Sequence, residues 1–319
     1  MKYFILIILS GLIILISCKK DEIQQPSTQD TLSSNDHIEY FGFTLVDTYW
    51  DDPTDNITKT NYSDEVHSFS NMADILVVTP TDYIIDRIDS MVNLNMKAVL
   101  HLNEIFFEVS GNSSPSGTNY NLRPDYQQRW DDFVTTNSLQ SNASKILTFY
   151  IGEEPTWNGI SFNDFSAATN YVKNQFPNVP IMMVEAYPVL DSLQVPQSVD
   201  WLGFDHYFIK DPMTNTTFQQ EWAKLKSKRS ATSQKLVVIM DSHYISWAHG
   251  TWGNISLSEM DDVAESYYQL AISEQLVIAI FGYYWPNSFE FPEAIGARGM
   301  PQNVMDKYIE IGKEISGKN

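Results

Sequence analysis

The chain has 319 residues, a formal net charge of −20 at pH 7 and one cysteine. The charge argues against nucleic acid or an anionic lipid surface as a partner, because both are polyanions. A single cysteine excludes a disulfide framework and a cysteine-based metal site.

Residues 1–17 are predicted to be a signal peptide that is not part of the fold. Lys2 is followed by an apolar run, residues 3–16, which is short for a membrane span. The run ends in Leu15–Cys18 (LISC), which resembles a bacterial lipobox that is cut before the cysteine. We therefore expect a lipid on Cys18 that anchors the protein to a membrane.

The residues after Cys18 are predicted to form a tether. Lys19–Glu22 (KKDE) resembles the lysine-plus-acids export signal that Bacteroidetes lipoproteins carry behind the lipidated cysteine. That resemblance implies an outer-membrane lipoprotein exposed on the cell surface, and a tether facing the periplasm is the alternative. Residues 22–35 are rich in Ser, Thr, Gln and Asp without an apolar period, which is typical of a flexible linker. We assign 18–37 to the lipidated cysteine and linker, and 38–319 to one domain that we expect to be monomeric.

Apolar, β-branched runs recur through this domain, and helical patterns fill most of the gaps. The eight runs are residues 41–47, 73–79, 97–104, 146–151, 180–185, 199–207, 235–241 and 277–285. Apolar residues have helical spacing at 82–94 and 162–176. Ser256 and Glu259 form a capping-box pattern, and Pro301 and Gly317 mark the two ends of the last helix.

Eight strands that alternate with helices predict an α/β fold, a single (β/α)8 TIM barrel. A doubly wound open sheet is the main competitor. That fold would carry a glycine-rich phosphate loop after the first strand. Residues Val46–Trp50 offer no such loop.

The fourth run leads directly into two adjacent carboxylates, Glu153 and Glu154. Pro155 ends the strand because proline lacks the N–H that a β-ladder needs. In a (β/α)8 barrel the chemistry lies at such C-terminal strand tips. A carboxylate pair there is typical of acid/base catalysis on glycosidic bonds, and two solvated loop acids are the alternative.

The other strand tips are also polar or aromatic, and seven of the eight carry a carboxylate, a His or a Trp. The predicted substrate-binding residues at these tips are Asp47, Trp50, Glu104, Glu153, Glu185, Asp205, His206, Tyr207, His243 and Trp285. Several of the histidines could converge on a metal ion. No His-x-His pair opens the first strand, however, as metal-dependent barrel hydrolases often have. We therefore expect neither a metal nor another cofactor.

The chain resembles the TIM-barrel glycoside hydrolases, most nearly the large clan whose strand-four tip has the sequence Asn-Glu-Pro. The resemblance extends from about Tyr40 to the end of the chain. The matching segments are Glu154-Pro155, Asp205–Tyr207, Tyr284-Trp285 and Gly296–Pro301. The resemblance implies that Glu154 is the catalytic acid/base, that Trp285 stacks on a sugar, and that the partner is a carbohydrate.

Two positions depart from that clan. Glu153 stands at the Asn position, and Asp241 stands at the strand-seven tip where a nucleophilic Glu is expected. Because Asp is one methylene shorter and retaining and inverting enzymes differ in carboxyl separation, the stereochemistry stays open. Glu185 is a rival second carboxylate. We predict an O-glycosidic hydrolase with Glu154 and Asp241 as catalytic residues, and a non-catalytic glycan-binding lipoprotein on a degenerate barrel is the alternative.

Overall fold

The computed structural model describes residues 35–318. The predicted signal peptide, Cys18 and almost all of the predicted linker therefore lie outside the described residues. Within residues 35–318, no helix is long and apolar enough to cross a membrane.

Eight parallel strands form one sheet that curves into a nearly closed barrel, which confirms the predicted α/β fold. The strands are β1 (Tyr40–Phe43), β2 (Met72–Leu76), β3 (Lys97–His101), β6 (Ile146–Glu153), β7 (Ile181–Ala186), β8 (Trp201–Asp205), β9 (Lys235–Asp241) and β10 (Val277–Tyr283). A separate antiparallel hairpin consists of β4 (Phe107–Gly111) and β5 (Asn119–Leu122). Neighbouring strands in the barrel follow the order β1-β10-β9-β8-β7-β6-β3-β2. All eight predicted strands are confirmed, whereas the hairpin was missing from the sequence prediction.

Helices cover the outside of the barrel, and the predicted ones are confirmed. The helices are α1 (Ser63–Val66), α2 (Ile85–Asn93), α3 (Asn103–Phe106), α4 (Tyr126–Thr136), α5 (Leu139–Asn142), α6 (Phe162–Gln175), α7 (Thr216–Ser227), α8 (Ser246–Ala248), α9 (Met260–Ser273) and α10 (Gln302–Ser316). The capping box of Ser256 and Glu259 forms in the turn that leads into α9. Gly317 ends α10 in the left-handed conformation, with φ 67°.

The strands separate two apolar layers. One layer fills the barrel interior and includes Val184 of β7, Trp201 of β8 and Ile239 of β9. The other lies between the strands and the helices. Because side chains alternate between the two faces of a strand, Asp205 and Asp241 lie on the inner face, and Glu185 lies on the outer face.

Asp47 joins the two edge strands of the sheet. Its backbone forms a parallel bridge to Ile75 just before the end of β2. Its carboxylate accepts hydrogen bonds from Arg87 of α2 at 2.8 and 2.9 Å. Only 5 % of the Asp47 side chain is exposed. The bridge and the ion pair with Arg87 indicate that this predicted substrate-binding residue helps to close the barrel.

Candidate functional site

Two neighbouring cavities open at the C-terminal ends of the strands. The larger one, of about 440 Å³, is lined by Glu154, Asp205 and Tyr207 among others, and we call it the first lobe. The smaller one, of about 270 Å³, is lined by Glu104 and Glu153 and is the second lobe. Asp205 and Tyr207 line both cavities, so the two lobes form one cleft.

Glu154 is the first residue after β6, and its backbone is left-handed, with φ 45°. A residue other than glycine seldom adopts this backbone conformation, and its surroundings must hold it there. The N–H of Glu154 donates to the carbonyl of Val184, and its own carbonyl accepts from the N–H of Asn158, both at 2.9 Å. These bonds hold the Glu154 side chain in the first lobe beside Asp205.

Glu154, which is half-buried, and Asp205, which is buried, form a pair of neighbouring carboxyl groups. Burial raises the pKa of Glu154, and the neighbouring charges of Asp205 and Glu153 raise it further. Burial and the charge of Glu153 likewise raise the pKa of Asp205. Two adjacent carboxylates in a low-dielectric site cannot both ionise readily, so the pair retains a proton near neutral pH.

Glu153 occupies the second lobe, and about a third of its side chain is exposed. Its carboxylate accepts a hydrogen bond from the hydroxyl of Tyr150 and lies 3.7 Å from Nε2 of His101. The His101 Nδ1 and Asn103 Oδ1 atoms, in the same lobe, are buried without a hydrogen-bond partner among residues 35–318.

Aromatic side chains form the walls of the first lobe. Tyr187 stacks on His206, with ring centroids 3.7 Å apart and an interplanar angle of 7°. The His206 ring is in turn fixed by Glu221, whose Oε2 lies 2.6 Å from Nδ1. Trp157 and Trp252 also line the lobe. Tyr187 follows β7 directly and is a strand-tip residue in the sequence as well. Trp157 and Trp252 are not predicted as site residues, because both lie in loops beyond the strand tips.

Asp241 is fully buried and does not line either lobe. One carboxylate oxygen accepts from the N–H of Phe208 at 2.8 Å. The other lies 3.2 Å from His249 Nε2 and 3.3 Å from His243 Nδ1. Burial acts to raise the pKa of Asp241, but the two histidines outweigh it and hold that pKa below its ordinary value.

Glu185 is also fully buried and lies outside both lobes. Its carboxylate accepts from the backbone N–H groups of Thr156, Trp157 and Ala186 at 2.9 to 3.1 Å. It thereby stabilises the loop that follows Glu154. The catalytic role of Asp241, and of its rival Glu185, stays a prediction.

The cleft thus brings together five of the predicted binding residues: Glu104, Glu153, Asp205, His206 and Tyr207. The other predicted binding residues pack against or hydrogen-bond to groups of the protein. The indole N–H of Trp285 donates to Glu65 at 2.9 Å, and that of Trp50 donates to the carbonyl of Asn287 at 2.9 Å. His243 lies against the buried Asp241. Contact between substrate and Asp47, Trp50, Glu185, His243 or Trp285 stays a prediction.

Over residues 35–318, no three His, Cys, Asp or Glu side chains form a group that could hold a metal ion. The expectation that the protein uses no metal stays a prediction.

Comparisons with known proteins reveal similarity in fold. No family model and no curated protein matches the chain. A glucosidase from Croceicoccus marinus matches with a TM-score of 0.57 and 12% identity, over 87% of this chain and 68% of that one. A GH113 β-1,4-mannanase matches with a TM-score of 0.55 and 12% identity, over 86% and 99% of the two chains. A thermostable mutant of a xylanase from Cellvibrio japonicus matches with a TM-score of 0.53 and 9% identity, over 87% and 98%.

These structural neighbours are glycoside hydrolases. At such low identity the likeness shows the fold alone. The chemistry of this chain must be argued from its own cleft.

The raised pKa of Glu154 predicts a specific dependence of stability on pH. Above the pKa of an unfolded Glu, the folded protein holds a proton that the unfolded chain has lost, so the free energy of unfolding falls as pH rises. One such proton contributes about 1.4 kcal/mol per pH unit. We expect Glu154→Gln to flatten this fall in urea denaturation between pH 5 and pH 8.

The matched control is Glu104→Gln, which removes a carboxylate from the second lobe where the side chain is 36 % exposed. This variant should keep the wild-type slope. A Glu154→Gln slope as steep as that of the wild type would contradict the assignment of a retained proton to the pair.

Proposed function

We propose that the protein is a glycoside hydrolase that cleaves O-glycosidic bonds of an oligo- or polysaccharide, with Glu154 as the proton donor. One observation carries the proposal: a carboxyl group with a raised pKa faces an open lobe at the C-terminal end of the barrel. A general acid must hold its proton at the working pH, and a raised pKa provides this. The fold-level likeness to glycosidases adds support.

The bond-breaking step follows from this assignment. Glu154 transfers its proton to the leaving oxygen as the bond from that oxygen to the anomeric carbon breaks. A second carboxylate either attacks the anomeric carbon or takes a proton from the water that attacks it. Asp205 acts through Glu154, because its position keeps the proton on the pair until a substrate is bound.

Three carboxylates compete for the second role. Asp241 and Glu185 follow from the sequence, and both have their oxygens engaged by buried hydrogen-bond donors. Glu153 is a third candidate, since it lines the second lobe, which shares Asp205 and Tyr207 with the lobe that Glu154 lines. We favour Glu153, because it needs no rearrangement to meet a substrate in the cleft.

A non-catalytic glycan-binding protein is the second candidate function. The observation that favours it is the enclosure of Asp241 and Glu185. If neither carboxylate reaches a substrate and Glu153 only binds it, the cleft would hold a glycan without cleaving it. Fold alone does not decide between the two functions.

The hydrolase proposal predicts that Glu154→Gln abolishes turnover and preserves glycan binding. Loss of a general acid lowers kcat by about 100-fold or more. The measurement is product formation from a panel of glycans, with binding of the same glycans followed by calorimetry. The control is Asp132→Asn on the exposed face of α4, which should turn over at the wild-type rate.

Two results would contradict the hydrolase proposal. One is full turnover by Glu154→Gln. The other is a wild-type protein that binds glycans of the panel but releases no product, which would favour the binding function.

We also propose that Cys18 is lipidated and anchors the enzyme to the outer membrane, exposed on the cell surface. The support is the LISC sequence, followed directly by KKDE. The Cys18→Ser variant, expressed in a bacterium that processes lipoproteins, should move from the membrane fraction to the soluble fraction or keep its leader uncut. A variant that stays processed and membrane-bound would contradict the anchor.

A further inference from the structure

Three large aromatic side chains lie exposed together beside the first lobe. Trp252 is 65% exposed, Trp247 43% and Phe291 40%. The Trp247 ring packs edge to face against Trp252 at 5.1 Å and against Phe291 at 5.8 Å. A cluster of apolar rings held in water is a feature of binding surfaces, and we call these three residues the aromatic ledge.

The ledge continues the wall of the first lobe outward. Trp252 lines that lobe together with Glu154 and Asp205. On its other side, Trp252 borders a shallow depression that includes Lys210 and Asp211. A ligand that fills the lobe therefore meets the ledge where it leaves the lobe.

Buried contacts hold the ledge in position. Trp252 lies in the π-helical turn His249–Gly253, between β9 and α9. His249 is fully buried at the start of this turn and hydrogen-bonds to Asp241. At its end, a Cβ on Gly253 would lie 2.7 Å from the carbonyl oxygen of Phe208, so the backbone packs too closely for a side chain. Asp241 thus fixes the loop that presents Trp252.

A hydrogen bond between two loops holds Trp247 near Phe291. The indole N–H of Trp247 donates to Glu293 Oε1 at 3.1 Å, two residues after Phe291. Trp247 lies in α8, just before the turn that carries Trp252. The ledge is therefore built from the loops that follow β9 and β10, and the contact between Trp247 and Phe291 joins the two loops.

We propose that the ledge binds a neutral polysaccharide chain that extends out of the first lobe, so that the substrate is a polymer and not a disaccharide. The C–H faces of sugar rings carry partial positive charge and stack on the electron-rich faces of aromatic rings. The carboxylate of Glu293 and the net charge of −20 disfavour an anionic polymer or an anionic membrane. This inference rests on the proposed function, because it extends the same cleft.

The test compares affinities across a length series. The starting protein is the Glu154→Gln variant. This protein, and the same protein with Trp247→Ala or Trp252→Ala added, are titrated with soluble glucan, mannan and xylan and with the corresponding disaccharides. We expect both tryptophan variants to lower the ratio of polymer to disaccharide affinity by about 3- to 10-fold for the polymer that binds. Tyr83→Ala is the matched control, because Tyr83 is 57% exposed and lies outside both lobes.

The outcomes separate the ledge from the hydrolase. Unchanged affinity ratios in both tryptophan variants would overturn the ledge, whatever the turnover of the wild type. Lack of binding of all three polymers by the starting protein would also overturn it. So would binding of the starting protein to phosphatidylcholine vesicles that both tryptophan variants lose, because the ledge would then bind a lipid surface. A lower ratio of polymer to disaccharide affinity in both tryptophan variants, together with a wild type that hydrolyses none of the glycans, would support the ledge and contradict only the hydrolase proposal.

Discussion

The repulsion between Glu154 and Asp205 is the constraint on which the candidate site depends. Asp205 is buried and Glu154 is half-buried at neighbouring positions of the barrel mouth. Burial and the charge of Asp205 raise the pKa of Glu154, and burial and the charge of Glu153 raise the pKa of Asp205. The backbone bonds from Glu154 to Val184 and Asn158 hold the pair together. Rigid strands thus maintain an arrangement that two free carboxylates in water would avoid, which is typical of sites that need a proton held near neutral pH.

Other carboxylates near the barrel mouth stabilise the scaffold around this pair. Asp47 joins β1 to β2 and pairs with Arg87. Glu185 accepts hydrogen bonds from two backbone N–H groups of the loop after Glu154. Asp241 binds two histidines and the N–H of Phe208, and so fixes the turn that carries Trp252. The polar strand tips of this barrel therefore divide into groups that meet the cleft and groups that shape its loops.

The sequence predicts the fold well because all eight strands have apolar, β-branched runs and helical spacing fills most of the gaps between them. It also predicts that Glu154 lies at a strand tip, because Pro155 follows it directly, and β6 ends at Glu153. It does not reveal which tips face the cleft. Glu185 lies on the outer face of β7, and an irregular register in β6 between Tyr150 and Gly152 sets where Glu153 and Glu154 point. Trp157 and Trp252 lie in loops whose position against the barrel depends on tertiary contacts.

The central claim is that Glu154 keeps a proton near neutral pH in the folded protein. Infrared difference spectroscopy between wild type and Glu154→Gln measures the C=O stretch of a protonated carboxylic acid directly. The account predicts a protonated-acid band at pH 7 in the wild type that is missing from the variant. Loss of that band near pH 4.3, the ordinary pKa of a Glu side chain, would contradict the account.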